Sequence, residues 1–125
     1  MKNRLFLFSF IGLFSLLFSC SKDSKESVSV DYTCNDSTHV SYAFPIQAIM
    51  DESCNSSSCH GSPNNASGIN LESYSSVKSA AQSDKFFQSI MHKSGAKPMP
   101  EGQAQLHDSI IKKIVCWRAQ GFPEN

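Results

Sequence analysis

The feature that most restricts how this chain can fold is a shortage of large apolar side chains after its first 33 residues. Residues 34–125 contain 16 Leu, Ile, Val and Phe among 92 residues, about 17%. This fraction is low for a domain that folds on its own core, although the modest charge of the segment argues against disorder. Small domains of this kind usually need crosslinks or a bound group that adds apolar volume. We therefore expect this chain to depend on such help.

The N-terminus has the pattern of a bacterial export signal. Two basic residues precede an apolar run over residues 5–18, which is too short to span a membrane. The run ends in LFSC, which resembles a lipoprotein box whose cysteine, Cys20, becomes lipidated. An ordinary signal peptide cut near Ser19 is the alternative. We predict a signal peptide at 1–19, firm anchoring by the acyl chains on Cys20, and an exported lipoprotein that faces the periplasm or is anchored in the outer membrane.

A lipidated N-terminus and a flexible, serine-rich tether are predicted at 20–31, followed by one domain at 32–125. The signal peptide carries two of the 11 Lys and Arg residues and none of the 11 Asp and Glu residues, so the mature chain has 9 against 11, a formal charge of −2. The chain has no basic stripe with interleaved aromatic residues. We therefore expect no nucleic-acid partner.

Four of the five cysteines remain once Cys20 is assigned to the lipid. Cys54 and Cys59 form a local pair, whereas Cys34 and Cys116 lie near the two ends of the domain. Because exported domains keep disulfides, we predict a Cys34–Cys116 bridge. It would close a loop of about 80 residues and contribute about 4 kcal/mol to the free energy of unfolding in the chain-entropy model. Two separate buried thiols are the alternative.

Hydrophobic periodicity predicts four helices and no convincing strand, hence an all-α domain. Gly, Ser, Asn and Pro segments separate the helices. The last helix has the clearest apolar stripe, from Leu106 to Trp117, and ends before Gly121. His107, at the start of this helix, is predicted to be a cap-region or surface residue. The first three helices are predicted at 44–53, 71–81 and 84–93, the third with a cap at Ser83 and Asp84.

The segment Cys54-Asn-Ser-Ser-Ser-Cys59-His60 resembles the CxxCH sequence of covalent haem attachment, with two additional residues. Attachment requires two thiols and an imidazole from one segment. The adjacency of Cys59 and His60 is kept, so only the route back to Cys54 is longer. Two other interpretations stay open at this point. One is a local Cys54–Cys59 disulfide, and the other is a zinc site on these three residues and one more.

A candidate second iron ligand lies in the loop before the last helix. Met99 stands between Pro98 and Pro100, where a helix is excluded, so a stiff loop presents its thioether. Methionine is a known partner of histidine on cytochrome iron and raises the reduction potential. The alternatives are a loop methionine that fills a small core, and His92 as the ligand in its place.

The order of these elements resembles the small cytochrome c-like domains of bacterial lipoproteins over nearly all of the predicted domain. The shared features are a short helix entering the CH motif, a Gly-rich loop, GINLESYSSVK, an MP loop, and a last helix ending in CWRAQGFPEN. The resemblance implies an all-α class I cytochrome c fold, in which the first and last helices cross around a haem and Trp117 packs where they meet. It also implies thioethers from Cys54 and Cys59, and iron ligation by His60 and Met99 from opposite faces.

These observations favour an electron carrier with one haem c. With both axial positions of the iron filled there is no open site for substrate, and no catalytic base is apparent, so we do not predict an enzyme. Peroxidase-like activity would require Met99 to leave the iron. The expected partners are a redox protein and, through the lipid, a membrane, and the chain is predicted to be a monomer. The alternative is a haem-free structural or binding lipoprotein with two disulfides.

Overall fold

The domain is helical. The computed structural model describes residues 32–34 and 39–125, and in these ranges it contains four α-helices, one short 3-10 turn and no strand. This confirms the all-α prediction. The helices are α1 at Ile46–Ser53, α2 at Tyr74–Ala81, α3 at Asp84–Ile90 and α4 at Asp108–Ala119.

The predicted signal peptide at 1–19, the lipidated Cys20 and the tether at 20–31 lie outside the described residues. Within the described part of the chain, no helix combines the length and the apolar character that crossing a membrane requires.

Helices α2, α3 and α4 begin where a side chain caps them, whereas α1 begins at Ile46, two residues later than predicted, without a side-chain cap. Helix α2 starts at Tyr74, three residues later than predicted, because Ser73 and Ser76 form a capping box in which each side chain bonds the backbone N–H of the other. Ser83 caps α3 at the predicted place by accepting from the N–H of Lys85. The ring of His107 accepts from the N–H of Ser109 at the start of α4, so the prediction of a cap role for His107 is confirmed.

Helix α3 ends at Ile90 and not at residue 93, because His92 adopts a left-handed backbone conformation with φ of 49°. Such a conformation costs a residue with a side chain on the order of 1–2 kcal/mol. Lying two residues after the last residue of the helix, His92 turns the chain away from the helical path and towards the loop that carries Met99.

The core takes side chains from all four α-helices, and α1 packs against α4. The side chains of Ile46 and Met50 from α1 and of Ile114 and Trp117 from α4 are fully buried. The indole N–H of Trp117 donates to the carbonyl of Pro123 at 2.8 Å, so its polar atom is satisfied in the apolar interior.

The Cys34–Cys116 disulfide is present, which confirms the predicted pairing. It joins the first described segment to α4 across a sequence separation of 82 residues, and Cys116 is only 4% exposed. The C-terminal tail adds a second connection, since Tyr42 and Ala43 donate backbone hydrogen bonds to Pro123 and Glu124 at 2.9 Å. The two ends of the domain are therefore tied together.

Candidate haem site

The stretched cysteine motif folds back on itself at the end of α1. The N–H of Cys54 still donates to Met50 in the last turn of the helix, at 2.8 Å. The chain then turns, with the N–H of Cys59 donating to Ser56 at 2.8 Å and that of His60 returning to the carbonyl of Cys54 at 3.0 Å. The serines between the cysteines are exposed. The longer spacing is thus taken up by a surface turn that brings His60 back beside Cys54.

Gly61 makes this return possible. A Cβ at this position would overlap the backbone carbonyl of Asn55, so only glycine fits where the two segments approach each other. Two further backbone bonds hold the motif on its other side. Ala66 donates to the carbonyl of Cys59 at 2.9 Å, and Leu71 donates to that of His60 at 3.0 Å.

The imidazole of His60 is oriented by the loop that follows it. Its Nδ1 lies 3.2 Å from the carbonyl oxygen of Ile69. Because a carbonyl can only accept, this hydrogen bond requires the proton on Nδ1. The lone pair of Nε2 is then available to a metal, the arrangement that is usual for metal-binding histidines.

Glu72 holds that loop in place. Its carboxylate accepts from the N–H and the hydroxyl of Ser62, at 2.9 and 2.6 Å, and from the amide of Asn70 at 2.7 Å. The hydrogen bonds from Ser62, and then that from Asn70, lower the pKa of Glu72 below its ordinary value. The Glu72 carboxylate therefore ties the two ends of the loop after His60 together, and we call these bonds the Glu72 clamp. Ile69, whose carbonyl bonds His60, lies within this loop.

The two cysteines of the motif are free thiols with different surroundings. Burial, and secondarily the charge of Cys59, raise the pKa of the Cys54 thiol to about 11. Cys54 is accordingly protonated at neutral pH and half-buried, whereas Cys59 is exposed. They are not bonded to each other.

Met99 is held at the end of α3 through its own backbone. Its N–H donates to the carbonyl of Ser89 at 3.0 Å, and its carbonyl accepts from Nε2 of His92 at 3.0 Å. An exposed ion pair of 2.6 Å between Lys97 and Glu101 spans the loop. The methionine is half-buried, and its position is set by the way α3 ends.

Two cavities of about 480 Å³ each meet at these residues. Cys54, His60, Ile90 and Met99 line both of them. The first cavity extends along Cys59 and the segment before α4. The second is mostly apolar, and its lining includes Ile69, Leu71, Ala80 and Phe86. The structure thus brings the sequence-predicted residues Cys54, His60 and Met99 to one shared space and Cys59 to its edge, whereas His92 lines neither cavity.

Several contributors to this site have no signature in the sequence. The Ile69 carbonyl and the Glu72 clamp become visible only once the loop after His60 is folded back, and the wall at Ile90 only once α3 is in place. Gly61 is the exception, because a glycine directly after a histidine in a tight motif hints at a close backbone approach. The sequence marks His92 only as a rival ligand to Met99.

In the part of the chain that the structure describes, no group of three or more His, Cys, Asp and Glu side chains is arranged to hold a metal ion. The four ligands that a zinc site needs are therefore not brought together there. Comparison of the chain with protein-family models, curated proteins and solved structures gives no match. The resemblance to cytochrome c-like domains stays a prediction, so a functional assignment has to rest on the site.

Proposed function

We propose that the domain binds one haem c at the two cavities that share these lining residues, and that it carries single electrons. The observation that carries this proposal is that the cysteine and imidazole of the Cys54–His60 motif, and a methionine from the distant Met99 loop, line both cavities. Cys54 and Cys59 would hold the haem through thioethers, His60 would ligate the iron through Nε2, and Met99 would ligate it through its sulfur.

The lining of the second cavity supports a large flat apolar occupant. Phe86, Leu71 and Ile69 contribute side chains to this cavity, and Ile69 is one of the two large hydrophobic residues that are clearly exposed among the described residues, at 42%. A bound macrocycle would cover this surface and add the apolar volume that the sparse core lacks.

The residues around the cavities are suited to holding an iron in one coordination state. The bond from Nδ1 of His60 to Ile69 fixes the tautomer and makes Nε2 more basic. Met99 is presented from a loop whose backbone is bonded on both sides to the end of α3. When bound, haem supplies reversible one-electron chemistry at its iron. Two protein ligands would leave no open position for substrate, so the proposal is a carrier and not an enzyme.

The finer architecture belongs to the same proposal. The packing of α1 on α4 supports a class I cytochrome c-like arrangement, with the first and last helices crossing around the haem. The lipid on Cys20, an address facing the periplasm or in the outer membrane, a monomeric state and a redox protein as partner rest on the sequence. The haem-free alternative calls for a Cys54–Cys59 disulfide, and the free thiols at these positions favour the haem-bound form.

Removing both thiols of the motif is expected to abolish covalent haem attachment. The full chain and its Cys54→Ala/Cys59→Ala variant would be produced in a bacterium with a cytochrome c maturation system and purified in detergent. Their masses under denaturing conditions should differ by one haem beyond the two substitutions. Ser57→Ala, an exposed change in the same turn, should keep the haem. An equal haem content in the double variant would show that these cysteines are not the attachment points.

A further inference from the structure

The end of α3 has the hydrogen bonds of a Schellman motif with a histidine where glycine is usual. His92 donates its N–H to the carbonyl of Ser89 at 3.1 Å, and Lys93 donates to that of Gln88 at 2.8 Å. In such a motif the second residue after the last helical residue adopts the left-handed conformation, and glycine does so without strain. His92 adopts it with φ of 49°. Backbone strain of this kind persists where the side chain contributes something that glycine does not.

The side chain of His92 reaches the Met99 loop. Its Nε2 lies 3.0 Å from the carbonyl oxygen of Met99 and, because a carbonyl only accepts, that nitrogen must carry the proton. Nε2 therefore has no lone pair for iron, and although Nδ1 keeps one, His92 lines neither cavity. In this structure His92 is therefore bonded to the backbone of the candidate ligand and is not placed as its rival.

We propose that His92 is a positioning residue that keeps the Met99 thioether at the haem iron, an inference that rests on the proposed function. In the described part of the chain, the loop between α3 and Met99 is largely exposed, and Gly95 within it has φ of 92°. The Lys97–Glu101 ion pair is exposed and contributes little. Two bonds hold Met99, one from its own N–H to Ser89 in α3 and one from His92 just after that helix. Without the second, only one anchor of Met99 remains.

The His92→Gly variant distinguishes a role in positioning Met99 from a general role in folding. His92→Gly relieves the backbone strain and keeps the Schellman bonds, which offsets the lost hydrogen bond to Met99, so the free energy of unfolding should be unchanged. The variant lacks the hydrogen bond from the imidazole to the carbonyl of Met99. His92→Asn gives a second test, because asparagine tolerates the left-handed conformation and its side chain is shorter than that of histidine. His39→Gly, at an exposed histidine outside both cavities, is the matched control.

Imidazole is the probe for this inference, because it competes with Met99 for the iron. The full chain, loaded with haem and purified in detergent, would be titrated with imidazole in the oxidised state and followed by its visible spectrum. We expect imidazole to bind His92→Gly and His92→Asn about tenfold more tightly than the wild type, the factor that corresponds to one ordinary hydrogen bond. His39→Gly should bind it like the wild type.

The outcomes separate this inference from the proposed function. If all variants carry haem and the two His92 variants bind imidazole no more tightly than the wild type, the positioning role alone is overturned. Tighter imidazole binding accompanied by a lower free energy of unfolding in His92→Gly would make His92 an ordinary structural residue and would also overturn it. A wild-type chain without haem would overturn both proposals.

Discussion

Replacing Met99 by alanine is expected to abolish the methionine-to-iron charge-transfer absorption of the oxidised protein and to lower its reduction potential. A thioether ligand stabilises the reduced iron relative to the oxidised iron. We expect a fall on the order of 0.2 V, within the roughly 0.8 V over which axial ligands set haem potentials. Potentiometric titration of the full chain, followed at the haem absorption bands, would measure it.

Met91→Ala is the matched control for this change. Met91 is half-buried, packs against the core at the end of α3 and lines neither cavity. Its loss should lower stability without moving the charge-transfer band. A Met99→Ala protein that kept both the band and the wild-type potential would show that another residue ligates the iron on that side.

Removing the Cys34–Cys116 bridge is expected to lower the free energy of unfolding by about 4 kcal/mol. The bridge closes a long loop, spanning 82 residues in sequence, and so restricts the unfolded chain strongly. This is a large share of the 5–15 kcal/mol that stabilises a typical domain, and here the core is sparse. Urea unfolding of the haem-loaded wild type and of the Cys34→Ala/Cys116→Ala variant, each extrapolated to water with its own m-value, would give the difference.

The pairing itself has a separate check. In Cys116→Ala, Cys34 loses its partner and should become titratable with a thiol reagent in unreduced, denatured protein. An unreactive Cys34 would count against the pairing. A loss of less than about 1 kcal/mol in the double variant would contradict the crosslink argument, even if the bridge forms.

Local patterns in the sequence predicted the helices and the crosslink well. Ser83 and His107 lie at caps because short polar side chains and rings bond the free N–H groups of a first turn. The start of α2 was wrong by three residues, since the apolar residue at position 71 fits a helical pattern but the capping box begins at Ser73. The end of α3 was also wrong, because a left-handed histidine is not expected from propensity.

The candidate site was predictable only for those residues that a local sequence pattern marks. Cys59 and His60 are neighbours, and Met99 is marked by two prolines, so each is visible as a pattern. The hydrogen bonds from His60 to Ile69 and from His92 to Met99 end on backbone carbonyls, which every residue carries. Such contacts depend on how loops return to the helices, so they cannot be predicted from the type of the residue that carries the carbonyl.

The intact mass of the full chain under denaturing conditions, taken with its visible spectrum, tests the central proposal most directly. The chain would come from a bacterium with a cytochrome c maturation system and be purified in detergent. We predict a mass that exceeds that of the processed, lipidated polypeptide by one haem, together with a Soret band that survives denaturation and removal of free haem. A mass equal to that of the lipidated polypeptide alone, with no Soret band, would contradict the proposal.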